Sequence, residues 1–400
     1  MEKNEHDLLS IILFGLGLCI IALTMNFVIF RENRLAEGVS VLLWESADSF
    51  HFVLIIIGMM LIAGTLLLRQ YIPFFRETAA FLGNFLIIMV FISLADSTRN
   101  LMIEAPAFSR ISLGSGAWIM LLGGYVITAS AAKSVKNPFQ RVIFSYLFIP
   151  IILLLSSSGM FDKLSLVQEL MAKKSRFIQE FLNHLKIAFS SVGFATIIGI
   201  PMGIWAYRKK KAEKVIFYFV NTAQTIPSLA LFGLLIAPLS LLSARFPFLR
   251  SIGIRGIGMT PALIALTLYA LLPITKNITI SLKSVDPAFI QAGKGMGLNR
   301  FQLLVMIEIP LAAPIILNGL RLAVVQAIGN TAVAALIGAG GLGFFIFQGL
   351  GQAAPDLILL GAIPVVLLAV FMDRFMQLGI HVLTPKGVQL RNLSLEVPGD

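Results

Sequence analysis

DPAFIQAGKGMGLNRFQLLVMIEIP, residues 286–310, is a polar insert between long apolar runs, and its reading decides how the rest of the chain is organised. Asp286 followed by Pro287 is a helix start, because Asp accepts from the free N–H groups of a first turn and Pro has φ preset for the first helical position. Gly295 and Gly297 stop that helix. Asn299, with Gln302 three positions later, matches a capping box that opens a second short helix, expected to run out at Pro310. The stretch predicts a helix, a glycine elbow and a second helix at the water face of a membrane protein.

The membrane reading comes from composition. Hydrophobic residues make up 58% of the 400-residue chain and charged residues 13%, well below the roughly 25% charged usual in soluble domains. Mean hydropathy is +0.90. Crossing a bilayer as a helix takes about 20 apolar residues, and roughly ten such runs fit in the chain. The expected class is therefore an all-α polytopic membrane protein with about ten transmembrane helices. The net charge of +11 comes from short Lys/Arg clusters at the ends of apolar runs, which is the pattern of membrane topology and not of a nucleic-acid surface.

Cys19 is the only cysteine and lies in the first apolar run, so intrachain disulfides and thiolate metal sites are excluded. His6, His51, His184 and His381 are scattered, without zinc-ligand spacing, and no metal site is expected. The acidic start (Glu2, Glu5, Asp7) and the long apolar run at 8–30 predict a retained transmembrane helix, not a cleaved signal.

In chain order, spans are expected at 8–30, 52–68, 78–95, 117–132 and 142–157, forming an N-terminal five-helix membrane extension over residues 1–160. Asn26 and Asn84 within it read as packing contacts. Residues 161–185 place Leu166, Leu170, Phe177, Phe181 and Leu185 at helical spacing with Lys173, Lys174 and Arg176 between them, which predicts an amphipathic interfacial helix. Further spans at 187–207, 215–239, 262–280, 311–336 and 357–378 make a second unit over 186–380, followed by a tail at 381–400. The densest basic cluster, Arg208 to Lys214, is cytoplasmic under the positive-inside rule. Alternation then places the 286–310 hairpin and both termini on that side. It also puts the basic 161–185 segment outside, against the same rule.

Several polar positions interrupt the second set of spans. Gln224, Thr225, Pro227 and Ser228 sit at mid-membrane depth, either as the kinked lining of a translocation path or as a packed kink satisfying its own backbone. Arg321, followed by Gln326, Asn330 and Thr331, gives the next helix a polar side. Arginine at the bilayer centre costs roughly 2.5–3.5 kcal/mol, which favours a cavity- or subunit-facing role over snorkelling. Gly338 to Gly343 formally matches G-x-G-x-x-G, but no strand or soluble βαβ unit surrounds it, so a tight or re-entrant turn at the outer face is expected. No phosphate-binding P-loop occurs, and no nucleophile, base and orienting acid fall together. The chain is not expected to be an enzyme.

The hairpin is similar to the cytoplasmic EAA signature of binding-protein-dependent ABC importer permeases, E-A-A-x-x-x-G, nine residues, then I-x-L-P. Gln291, Ala292, Gly293 and Gly297 fall on its first part, and Ile307, Ile309 and Pro310 on its second. Gln291 replaces Glu, Gly293 replaces Ala, and Ile309 replaces Leu. QTIPSLA from Gln224, SVDP from Ser284 and AVAALIGAGGLG from Ala332 resemble the osmoprotectant branch, whose members import glycine betaine, choline, carnitine and similar compounds. The resemblance covers residues 183–378, and the first five spans resemble the extension of some longer members.

That resemblance implies a type I permease core in the last five helices and a multi-pass place in a bacterial cytoplasmic (inner) membrane. It implies a second permease copy or paralogue, an ABC ATPase subunit carrying the ATP and Mg, and an extracytoplasmic substrate-binding protein. No cofactor is implied on this chain. Asp286, Pro287, Gln291, Ala292, Gly293, Gly297, Ile307 and Pro310 would form the ATPase-coupling element; Gln224, Thr225, Pro227, Ser228, Arg321, Gln326 and Asn330 would belong to the path. Import of another small polar solute and ion-coupled secondary transport are the alternatives.

Overall fold

A computed structural model describes residues 2–33, 36–103, 105–106 and 108–383. The expected tail at 381–400 lies almost wholly outside the described residues. The chain divides into two compact units, Met1–Ala172 and Lys173–Asp400. Among the described residues, nine helices are long and apolar enough to cross a membrane, or ten if one bent pair counts as a span.

The first unit contains α1 (Glu2–Leu23), β1 (Val28–Arg31), β2 (Val39–Val41), α2 (Leu43–Ser46), α3 (Ser49–Leu67), α4 (Phe75–Leu101), β3 (Arg110–Leu113), α5 (Ser115–Lys133), α6 (Pro138–Tyr146), α7 (Phe148–Ser157) and α8 (Ser165–Ala172). Helix α5 packs against both α1 and α4. Glycines permit the close approach: a Cβ on Gly123 would meet Cys19 Sγ at 2.6 Å, and one on Gly83 would meet Thr128 Oγ1 at 2.4 Å. Such small-residue contacts are how helices associate in lipid, where apolar burial gives no driving force between them.

Two features of this unit depart from the sequence reading. The span expected at 8–30 stops at Leu23 in α1, and the chain beyond it, together with the segment before α5, carries a three-stranded antiparallel sheet in the order β2-β1-β3, with Val28 opposite Val41 on one side and Leu113 on the other. The span expected at 142–157 is two helices bent by 41°. Asn84 on α4 supports the bend: its Nδ2 donates to Phe144 O at 2.7 Å and its Oδ1 accepts from Phe148 N at 3.0 Å. A buried amide with both a donor and an acceptor can satisfy the backbone groups that a helix break frees.

The second unit contains α9 (Lys174–Arg208), α10 (Lys210–Thr225), α11 (Ser228–Arg245), α12 (Pro247–Ser251), α13 (Met259–Lys283), α14 (Pro287–Gly295), α15 (Arg300–Leu303), α16 (Ile309–Thr331), α17 (Gly343–Gly351) and α18 (Pro355–Leu383). A π turn at Leu304–Glu308 precedes α16 and a 3-10 turn at Val333–Ile337 follows it. Helix α13 is central, packed between α9 and α16, and α16 in turn packs on α18. Its buried face includes Ala270, Ile274, Ile278 and Leu282.

The amphipathic stretch 161–185 is not one interfacial helix. It is cut after Ala172, and its second half is the start of the 35-residue α9, where Glu180 and His184 are buried. Periodicity shows that a helix has a polar face. It does not show what that face meets: here Lys174 and Arg176 are exposed while Glu180 and His184 meet a loop.

The span expected at 215–239 is likewise two helices. Ile226 and Pro227 are extended, with ψ of 126° and 139°, because the residue before proline is driven out of the helical region. Conversely, the second hairpin helix does not end at Pro310. Ile309 N–H is donated to Leu304 O, five residues back, and this wider turn lets the helix continue past a residue with no N–H of its own.

Candidate functional site

Four polar assemblies in the second unit contain residues singled out by sequence. The first is the hairpin. Asp286 Oδ1 accepts from Ala288 N at 2.9 Å, and Pro287 takes the first helical position of α14. At the elbow Gly297 has φ +84°, Met296 N is donated to Ala292 O at 3.0 Å and Leu298 N to Gly293 O at 3.1 Å, a left-handed C-terminal closure that glycine adopts without strain. Asn299 Oδ1 accepts from Phe301 N and Gln302 N at 3.0 and 2.9 Å, and Gln302 Oε1 accepts from Asn299 N at 2.8 Å. The capping box is complete.

Gly293 joins the two arms. It is buried, and a Cβ there would meet Leu303 Cδ2 at 2.5 Å and Ile307 Cδ1 at 2.6 Å. Gln291, Ala292 and Pro310 are exposed, and so are the large apolar side chains of Phe289, Met296 and Phe301, the last two at 72% and 71%. The hairpin's base is tied to the basic cluster: Lys283 Nζ pairs with Glu213 Oε1 at 2.6 Å, and Tyr207 Oη donates to Glu308 Oε1 at 3.2 Å. Hairpin and basic cluster therefore share one end of the unit. A cavity of about 400 Å³ between them is lined by Tyr207, Lys294, Arg300 and Glu308.

The second assembly surrounds the break between α10 and α11. Gln224 Nε2 donates to Tyr269 O at 2.8 Å, and Tyr269 Oη donates in return to Ile226 O. Thr225 Oγ1 donates to Thr222 O at 2.8 Å. The Ile226 carbonyl, opened by the break, thus finds a phenol on α13, a partner that the sequence reading did not name. Thr225 and Pro227 are exposed, while Gln224 and Ser228 are half-buried. The arrangement is a stapled break with an exposed edge.

Arg321 belongs to a separate group. Its Nε and Nη2 reach Asp373 Oδ1 and Oδ2 at 2.6 and 2.9 Å, a bidentate pair joining α16 to α18. Both side chains keep some exposure, 26% and 31%. Counted at 1.5 Å per residue from Ile309 and from Leu383, the pair lies roughly 15–18 Å from the hairpin end, close to half a bilayer. Gln326 is exposed and Asn330 half-buried on the same helix. Sequence reasoning missed Asp373, although the pairing rule for intramembrane charge gave the signal: a buried arginine calls for an acid on a neighbouring span.

The fourth assembly is at the opposite end: the tight turn expected at Gly338–Gly343 is present, and the side chains that hold it were not anticipated. Glu180, 1% exposed, accepts from Gly341 N at 2.6 Å and pairs with Arg176 at 2.5 Å, and Arg176 lies 4.6 Å from the centre of the Phe344 ring. His184, fully buried, accepts from Leu342 N at 3.3 Å through Nδ1, while Nε2 lies 3.0 Å from Ile328 O and donates to it. Gly338, Gly340 and Gly341 all have positive φ. The G-x-G-x-x-G segment is a turn latched onto α9, with no strand before it.

In the first unit the fold brings Asp48, His51 and Asp96 together, with ligand-capable atoms within 4.8 Å of one another. Asp96 Oδ2 accepts from Asp48 N at 2.6 Å and lies 3.2 Å from His51 Nδ1, fixing the start of α3 to α4. The scattered histidines of the sequence gave no sign of this.

Residues 195–379 match the family described as "Binding-protein-dependent transport system inner membrane component". The chain belongs to this family. Residues 7–167 match the N-terminal domain described for the ABC transporter permease YehY. Among curated proteins, the chain is 40% identical over 206 residues to the osmoprotectant import permease protein OsmW of Salmonella typhimurium, covering 52% of this chain and 91% of that one. It is 41% identical to the carnitine transport permease protein OpuCB of Listeria monocytogenes, covering 52% and 87%. To the choline transport system permease protein OpuBB of Bacillus subtilis it is 34% identical, covering 57% and 99%. Membership makes the chain a membrane-embedded permease component, a transport subunit, of a binding-protein-dependent importer.

Proposed function

We propose that this permease imports small quaternary-ammonium osmoprotectants of the glycine betaine, carnitine and choline type, driven by a separate ATPase that docks on the 286–310 hairpin. The observation that carries the docking reading is a rigid, doubly capped hairpin joined at Gly293, whose exposed Phe289, Met296 and Phe301 stand at the same end as the basic Arg208–Lys214 cluster. Solvated aromatic and methionine side chains on a preorganised element are what a protein partner anchors on. The basic cluster favours a cytoplasmic position for this end, where ATP and Mg would be bound by the partner. Both termini are assigned to the same side.

Gln291 is exposed and uncharged, so docking here rests on shape and apolar contact at the elbow and does not call for a salt bridge at that position. The half-exposed Arg321–Asp373 pair at mid-membrane depth supports pairing with a second permease, a copy or a paralogue, across a shared path, because a charge pair facing lipid would be costly. The exposed edge of the stapled break, Thr225 and Pro227, is assigned to the same path, as are Gln224, Ser228, Gln326 and Asn330. An extracytoplasmic binding protein would deliver the solute.

The test is reconstitution of the permease with its ATPase and binding protein in liposomes, with uptake of labelled glycine betaine, carnitine and choline measured with and without ATP. A Gly297→Asp substitution at the elbow is expected to remove ATPase association and uptake together. Retention of both would overturn the docking site, and uptake driven by an ion gradient without ATP would overturn the importer reading.

A further inference from the structure

At the end of the second unit away from the hairpin, a cavity of about 580 Å³ is lined by Ser240, Ser243, Arg250, Arg255, Gly258 and Gly338, among others. It lies between the end of α11, α12, the start of α13 and the glycine turn, and Gly258 N donates to Ile337 O at 2.8 Å to hold two of its walls together. Its size is in the range of small-molecule sites. Among the described residues neither Arg250 nor Arg255 has an acidic partner, and no Asp or Glu occurs in the chain between Glu213 and Asp286 or between Glu308 and Asp356. The cavity wall is therefore drawn from acid-free sequence.

Two unpaired guanidinium groups sharing one concavity repel each other and raise the local potential for an anion. On the orientation proposed above they also lie on the outer side, where the topology rule disfavours arginine. Both residues are exposed, so their guanidinium groups are open to a solute. Guanidinium forks with nearby hydroxyls are matched to a planar carboxylate.

We infer that the Arg250/Arg255 cavity is a carboxylate subsite, which receives the carboxylate end of a betaine-type solute at the outer mouth of the permease. This rests on the importer reading for the identity of the solute, and on the cavity alone for its chemistry. The subsite separates solutes that bear a carboxylate, such as glycine betaine and carnitine, from choline, which carries the same cation without one.

The binding test uses the full-chain permease in phosphatidylcholine nanodiscs, with phenylglyoxal modification of Arg250 and Arg255 read by mass spectrometry and Arg208 at the other end as the control. Glycine betaine is expected to slow modification of both arginines at least about fivefold, and choline to leave it unchanged, since only the carboxylate pairs with the guanidinium groups. Equal effects of the two solutes, or no effect of either, would overturn the subsite. Protection seen only when phosphatidylglycerol is added would assign the cavity to lipid phosphate and overturn it too.

The transport arm uses the complete importer. Arg250→Gln with Arg255→Gln is expected to raise the KM for glycine betaine about tenfold and leave choline uptake within about twofold, since a site built to pair with a group discriminates against its absence. Arg250→Lys with Arg255→Lys keeps the charge and is expected to fall between. Equal loss of both solutes in the Gln pair would assign the arginines to folding or docking instead. If the wild-type importer carried neither solute, the functional reading would fall while nanodisc protection still decided the subsite.

Discussion

Two glycine turns cap opposite ends of the same helical core, and they are built in opposite ways. The hairpin elbow at Gly297 is held by its own neighbours: Asp286, Asn299 and Gln302 satisfy backbone groups within three residues of themselves. The turn at Gly338–Gly343 is held from far away, by Glu180 and His184 on α9, whose partners Gly341 and Leu342 lie about 160 residues later in sequence. A turn that closes on itself can project from the membrane and move as a unit. A turn latched by a distant helix is fixed to the core, and it moves only if the latch opens or the core moves with it.

This contrast sets the expected order of mutational effects. Glu180→Ala should cost the most: it removes a charge-assisted acceptor from a buried N–H and leaves Arg176 without its pair, about 2–3 kcal/mol. A thermal melt of the purified permease should show it, and a melt unchanged from wild type would mean that the glycine turn holds itself. The Arg321–Asp373 pair comes next. A double-mutant cycle with Arg321→Met and Asp373→Asn is expected to give a coupling of about 1–2 kcal/mol, with each single change worse than the double because it leaves one charge unpaired. Additive effects would show that the two charges act apart.

At the elbow the effects are smaller. Gly297→Ala places a Cβ at φ +84° and is expected to cost about 1 kcal/mol. Asn299→Ala removes one cap, for roughly 0.5–1 kcal/mol. Both should lower coupled ATPase activity more than they lower the melting temperature of the permease, since the hairpin packs mainly against itself. If Asn299→Ala destabilised the permease as much as Glu180→Ala, the distinction between a self-held and a latched turn would fail.

The sequence was legible wherever the physics is local. Composition declared a membrane protein, and the caps at Asp286 and Asn299 are present as their spacing indicates. Pro227 marked a break, although the apolar run on both sides of it reads as one kinked span. The β1–β3 pairing joins residues about 80 apart through strands of four residues, too short to carry a period of two. A separation of 45 to 48 residues likewise hid the cluster of Asp48, His51 and Asp96.

What the sequence by itself determined about this protein is the class, the approximate number of spans and the self-capped hairpin, because hydropathy and capping act over a few neighbouring residues. Only the tertiary structure decided which polar groups meet. It paired Arg321 with Asp373, gave Ile226 O to Tyr269, and placed Glu180 and His184 against the glycine turn. In a membrane a buried polar group is costly unless it finds a partner inside the protein. Which partner it finds depends on how distant helices come to lie side by side, and the spacing of residues along the chain does not record it.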